Sequence, residues 1–207
     1  MYNKLEYNLT DDMAVEVDAM FHKENKVEPV HVYLNNVKCK VKVIEVTQCG
    51  TLKKRGMGLR YKAYISGEDF TTESYLFRIG DFWYLAENID TIPDIQTRHA
   101  GFDYSGKKII DDRYDNPHKT AVDVLAAFHV DGEVEPYTFW WKDGAEYQVD
   151  KMLEKERAAS LKAGIIGLRY KILVRGKETY LFRDDDLWFM ENKEDYRVLD
   201  VHGRPLE

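Results

Sequence analysis

The chain is poor in the residues that staple, break or anchor a fold. Of 207 residues, only 2 are cysteine, 5 are proline and 13 are glycine. Cys39 and Cys49 form no CxxC pair and no metal-ligand spacing, which excludes a disulfide framework or a zinc finger. So little proline and glycine excludes a collagen-like or low-complexity chain. No apolar run approaches the ~20 residues of a spanning helix. The opening residues, Met1-Tyr2-Asn3-Lys4-Leu5-Glu6, lack the apolar stretch of a signal peptide. Two free thiols without an export signal predict a reducing, cytoplasmic setting. Basic residues are in the minority, 30 against 37 acidic ones, for a net charge of −7. A nonspecific nucleic-acid binder needs the opposite balance, because its affinity comes from phosphate neutralisation.

What is present is the composition of a folded, sheet-rich protein. Apolar residues make up 44%, charged residues 32% and aromatics 13%. The acidic excess is uneven: residues 1–88 and 89–120 each carry net −1, and residues 121–207 carry net −5.

The most informative pattern is an internal repeat. Ala14-Val15-Glu16-Val17 returns as Ala121-Val122-Asp123-Val124, Phe21-His22 as Phe128-His129, and Val27-Glu28-Pro29 as Val134-Glu135-Pro136, all at an offset of 107. Gly58-Leu59-Arg60-Tyr61-Lys62 returns as Gly167-Leu168-Arg169-Tyr170-Lys171 at an offset of 109. Tyr75-Leu76-Phe77-Arg78 and Trp83 return as Tyr180-Leu181-Phe182-Arg183 and Trp188 at an offset of 105. Shared blocks in one order predict two tandem copies, 1–88 and 121–207, joined by a linker over 89–120 that holds Pro93, Gly101, Gly106 and Asn116-Pro117.

Each copy reads as strands. Val15, Val17, Ala19 and Phe21, and in the second copy Val122, Val124, Ala126 and Phe128, alternate with other residues, which places one set on a buried face. Lys23-Glu24-Asn25, Asn35-Asn36, Asp131-Gly132 and Asp143-Gly144 are turn formers between strands. Further strands are expected at Val30–Leu34, Cys39–Val43, Leu59–Ile65, Tyr75–Phe77 and Phe82–Leu85, with their counterparts in the second copy. Leu153-Glu154-Lys155-Glu156-Arg157-Ala158-Ala159 has good helix propensity, but its counterpart Val46-Thr47-Gln48-Cys49-Gly50 has not, so extended strand or loop is expected over 45–57 and 153–166. Tyr196–Val201 offers one further strand. The expected fold is all-β: two tandem copies of an antiparallel meander of ~75 residues, each a small barrel or a strongly bent sheet.

The frame Phe128-His129, Pro136, Trp140, Tyr147-x-Val149, Gly167-Leu168-Arg169-Tyr170, Tyr180-Leu181-Phe182 and Trp188-Phe189 resembles small uncharacterised bacterial domains with an aromatic-rich strand, a Tyr-x-Val strand and a closing Trp-aromatic hairpin. The first copy departs from it at Tyr33, Cys39 and Asn25. The resemblance implies a bacterial origin and a β-rich fold, and no activity.

The recurring polar residues are the candidate ligand-binding groups. His22 and His129 close the first strand of each copy, on the face opposite Phe21 and Phe128. A recurring imidazole suits a base or a ligand site; its ordinary role is a hydrogen bond that pins the hairpin. Arg60, Arg169, Arg78 and Arg183 alternate against Tyr61 and Phe77 or their counterparts, facing away from the apolar side. Guanidinium groups there suit a carboxylate or phosphate, or simply stack on aromatics. Lys53, Lys54, Arg55, Arg60 and Lys62, with Tyr61 and Tyr64 interleaved, form a basic stretch that a single-stranded nucleic acid would fit. The second copy has Lys162-Ala163-Gly164 in its place, and a solvated loop is the ordinary reading. No HExxH, GxSxG or phosphate-loop spacing is present, and Asp184-Asp185-Asp186 is too short for a calcium loop. No cofactor and no metal site are expected. The expected function is that of a cytoplasmic tandem-repeat binding or scaffolding protein with a protein or small molecule as partner. The alternatives are a small-molecule enzyme with Arg60, Arg169, His22 and His129 in a cleft between repeats, and a nucleic-acid binder using residues 53–62.

Overall fold

The computed structural model describes residues 6–7, 13–51, 57–86, 119–159 and 166–191. The described residues form fifteen strands and no α-helix. In the first half these are β1 (Glu6–Tyr7), β2 (Glu16–His22), β3 (Lys26–Leu34), β4 (Val37–Thr51), β5 (Met57–Ser66), β6 (Thr71–Ile79) and β7 (Phe82–Ala86). In the second half they are β8 (Lys119–Ala121), β9 (Asp123–Phe128), β10 (Val134–Trp140), β11 (Glu146–Gln148), β12 (Lys151–Ala159), β13 (Ile166–Val174), β14 (Lys177–Asp184) and β15 (Leu187–Glu191). No helix among the described residues is long and apolar enough to cross a membrane. The expected linker and the possible strand over Tyr196–Val201 lie outside the described residues, apart from Lys119 and Thr120 of β8.

The turns follow local chemistry. Asn35 and Asn36 both adopt positive φ (49° and 66°) between β3 and β4, as a primed two-residue hairpin requires. Arg175-Gly176 does the same between β13 and β14, with φ of 50° and 73°. Gly58 and Gly167 meet a different demand. A Cβ on Gly58 would lie 2.5 Å from the carbonyl oxygen of Arg78, and one on Gly167 would meet the carbonyl oxygen of Arg183 in the same way.

The helix propensity of 153–159 loses to pairing: β12 runs antiparallel to β13 from Lys151↔Leu173 to Ala159↔Ile166. Its counterpart region is the second half of β4, a continuous strand of 15 residues that pairs first with β3 and then with β5 through an irregularity between Val43 and Glu45. In the second half of the chain the same path is broken. The N–H of Val149 donates to Tyr137 (2.9 Å) and that of Asp150 to Leu173 (2.8 Å), so β11 stays with β10 while β12 leaves with β13.

Two compact units result, and they interleave along the chain. One comprises Met1–Met20, Val27–Lys107 and Leu125–Pro136; the other comprises Phe21–Lys26, Lys108–Val124 and Tyr137–Glu207. Each therefore includes a hairpin tip from the opposite half of the sequence. Within the first unit, the residues of β10, β9, β2, β3, β4, β5, β6 and β7 follow one another in hydrogen-bonded order, with β1 parallel to β4. The second unit contains the path β12-β13-β14-β15-β8 and the β10–β11 pairing.

Among the described residues no sheet closes into a barrel, which corrects that half of the expectation. In the first unit β2 takes β9 and β3 as neighbours, and a single bridge, Ala14↔Tyr84, links the residues before β2 to β7. In the second, the break at Val149-Asp150 interrupts the path.

The period-2 alternation holds where one face is buried. Val17, Ala19 and Phe21, and Val122, Val124, Ala126 and Phe128, are buried, as are Tyr61, Ala63 and Ile65 on β5; on β2 Asp18 is buried as well, and Val15, expected on the buried face, is only half-buried. It fails on β6, where Tyr75 to Arg78 are all buried because both faces are covered. One face belongs to the Tyr61 and Trp83 core. The other meets a smaller cluster of Cys49, Tyr75, Phe77, Tyr84 and Ala86.

Candidate functional site

The four recurring arginines do not share one face. Cross-strand partners point the same way, and the pairs Arg60↔Phe77 and Leu59↔Arg78 set Arg60 and Arg78 on opposite sides of the sheet. Arg169↔Phe182 and Leu168↔Arg183 repeat that arrangement. The expectation that all four face away from the apolar residues is corrected by this register.

Arg78 and Arg183 are buried in aromatic cores. Arg78 lies over Trp83 (6.0 Å) and Phe128 (5.6 Å); Trp83 also meets Tyr61 at 5.2 Å and Phe128 edge-on at 5.7 Å. Arg183 lies over Trp188 (5.7 Å) and Phe21 (5.2 Å); Trp188 meets Tyr170 at 4.8 Å and Phe21 edge-on at 5.6 Å. Each cluster thus uses the phenylalanine of the opposite sequence half, and its guanidinium is held by ring faces. The Nε of Arg183 also donates to the carbonyl oxygen of Asp185 at 2.7 Å. Among the described residues the indole N–H of Trp83 and of Trp188 meets no hydrogen-bond acceptor, a cost that recurs in both units.

Arg60 and Arg169 lie nearer the surface. Arg60 stacks on Tyr75 at 5.2 Å and donates from Nε to the hydroxyl of Thr47, its cross-strand partner, at 2.9 Å. Arg169 stacks on Tyr180 at 5.0 Å and pairs with the carboxylate of Glu156, again its cross-strand partner. The Arg169 side chain is 37% exposed and Tyr180 is 40% exposed. Lys62 pairs with Glu73 and Lys171 with Glu178, both at 2.9 Å. Those carboxylates hold both ammonium groups above their ordinary pKa. Lys53, Lys54 and Arg55 lie outside the described residues.

His22 and His129 fall in different units, and each meets carboxylates. His129 Nδ1 is 3.5 Å from Glu16 and its Nε2 is 3.7 Å from Glu135, so the two acids flank opposite ring nitrogens. His22 lies in a tighter group with Glu24 and Asp123, whose potential ligand atoms all fall within 4.8 Å of one another. Asp123 stands at the sequence position equivalent to Glu16, so each imidazole draws an acid from the first strand of the opposite half. Asp123 also accepts the Lys23 N–H at 2.7 Å through Oδ1.

A fourth cluster went unseen in the sequence. The side chain of Asp18 on β2 is only 3% exposed. Its Oδ2 accepts from Lys38 Nζ at 2.9 Å and from the Tyr33 hydroxyl at 3.1 Å. His31 Nδ1 is 3.3 Å from the same oxygen, without hydrogen-bond alignment. Burial, then Lys38, pushes the His31 imidazole below its usual pKa, against a smaller upward pull from Asp18. Burial and the Asp18 charge raise the Tyr33 phenol, and the hydrogen bond to Asp18 raises Lys38. The equivalent positions in the second half hold Leu125, Trp140 and Thr138, so this polar group belongs to one half only. That mismatch between otherwise similar stretches of sequence was the available signal.

Both cysteines are buried and unpaired, and burial pushes the Cys49 thiol up to about 11. No family model, curated protein or solved structure matches the chain.

Proposed function

We propose that the chain is an internally duplicated binding or scaffolding protein whose two like surfaces are centred on Arg60 and Arg169. The observation that carries this reading is the repeated guanidinium-on-tyrosine stack: Arg60 over Tyr75 at 5.2 Å and Arg169 over Tyr180 at 5.0 Å. A stacked guanidinium is pre-oriented and binds a planar acidic group with little further loss of freedom. Duplication of 1–88 as 121–207 is supported by the paired aromatic clusters and by Gly58 and Gly167, which meet the same close approach. Two like surfaces on one chain favour a partner that offers two carboxylates or phosphates, because the second contact forms at high effective concentration. Buried free thiols support a reducing, cytoplasmic setting.

An array of acidic peptides and small di-anions, probed with the intact protein, tests this. A bivalent acidic ligand should lose about 10²-fold in affinity on Arg60→Ala or Arg169→Ala, and all measurable binding in the double variant. Unchanged binding in the double variant would sink the proposal. So would a catalytic turnover abolished by His22→Ala and His129→Ala in variants that stay folded, which would instead make the chain an enzyme.

A further inference from the structure

We propose that His22, Glu24 and Asp123 bind one divalent first-row transition-metal ion, with zinc as the probe that defines the site. His22 ends β2, Glu24 sits in the turn that follows, and Asp123 opens β9, all within one unit. One imidazole and two carboxylates are a donor set that such ions accept, and two negative charges balance a divalent cation. Their ligand atoms fall within 4.8 Å of one another. Tetrahedral ligands at about 2.1 Å from zinc stand roughly 3.4 Å apart. Glu24 is exposed and Asp123 half-buried, so side-chain rotation can close that gap without moving a packed core. The Lys23 N–H already fixes one oxygen of Asp123, as an outer-shell donor does in metal sites.

The other histidine is an internal control. At the position equivalent to Glu24, Asp131 accepts the Glu133 N–H at 2.9 Å and does not join His129 and Glu16 in any such group among the described residues. Glu16 and Glu135 flank opposite ring nitrogens of His129, so no single ion reaches both through one imidazole atom. Of the two recurring histidines, His22 alone therefore has such a donor set among the described residues. It ties a hairpin tip from the first sequence half to the opening of β9, which gives the metal a structural role.

Calorimetric titration of the full chain with zinc chloride, after stripping with chelator, tests the proposal. It should show one equivalent bound and a rise in melting temperature. His22→Ala and Asp123→Asn should each weaken binding at least the roughly tenfold that loss of an outer-shell partner already costs. Glu24→Gln, in an exposed turn, should do the same without touching the fold, and keeps the test valid if His22→Ala misfolds. His129→Ala should bind zinc as the parent does. No saturable binding, a second equivalent, binding that survives both Asp123→Asn and Glu24→Gln, or equal loss in His129→Ala would each overturn the proposal.

Discussion

Replacing Phe128 by alanine should open the unit that contains Trp83, although 45 positions of sequence separate the two. Phe128 has no exposed surface and meets Trp83 edge-on at 5.7 Å. It also carries the buried Arg78 guanidinium at 5.6 Å. A Phe→Ala change in a packed core costs about 3–5 kcal/mol. The edge-to-face geometry puts the cost toward the upper end, as does the guanidinium left over an empty site. Such a loss is a large fraction of the roughly 5–15 kcal/mol that holds a domain folded. It corresponds to roughly a hundredfold to a few thousandfold in the opening equilibrium. Hydrogen exchange followed by mass spectrometry reads this region by region. Amides of β6 and β7, Thr71–Ile79 and Phe82–Ala86, should lose protection by that factor, and those of β14 and β15 should lose less. Phe21→Ala should produce the converse, opening β14 and β15 around Trp188. Loss confined to β14 and β15 in Phe128→Ala would refute the reasoning, because it would return Phe128 to the core of its own sequence half.

Gly58→Ala and Gly167→Ala should each destabilise by about 1–3 kcal/mol, measured by urea unfolding, because the added methyl meets a backbone carbonyl rather than a side chain that can rotate away. Asp18→Ala should cost about 1–3 kcal/mol and return Lys38 toward its ordinary pKa, seen by NMR as a fall in its titration midpoint; an unchanged Lys38 would show that Asp18 is not its partner. Cys49 should resist alkylation in the native protein while reacting in urea. The folded thiol keeps its proton to about 11, while the unfolded thiol loses it near its ordinary value. Its contribution to stability is therefore complete below that ordinary value and declines as the pH rises through the window up to about 11.

Much of the strand pattern was legible because alternation with period 2 reports one buried face directly. Val17, Ala19 and Phe21 are buried as their spacing predicts, and so are Val124, Ala126 and Phe128. Asn35-Asn36 was legible as a turn because few residues tolerate two successive positive φ values. The interleaving was not legible. The two halves of the sequence carry the same Phe-His and a matching tryptophan, so no residue pattern states whether Trp83 packs on Phe21 or on Phe128. Arg78 was misread for a related reason: alternation ranks a strand's two faces relative to each other, and β6 is covered on both. Asp123 escaped notice as a neighbour of His22 because about a hundred residues separate them in sequence, whereas ligand motifs are recognised by short spacings. Asp18 escaped because an acid at a strand position reads as solvent-facing until Tyr33 and Lys38 are seen to close over it.

The central claim is that each unit is completed by a hairpin tip from the other half of the chain. Fragments 1–92 and 115–207, made separately and then mixed, test it most directly. Each alone should lack cooperative melting, since the first lacks Leu125–Pro136 and the second lacks Phe21–Lys26. An equimolar mixture should recover a single complex with a cooperative transition and the near-ultraviolet dichroism of ordered tryptophans. Two fragments that each melt cooperatively alone, and that gain nothing on mixing, would contradict the account.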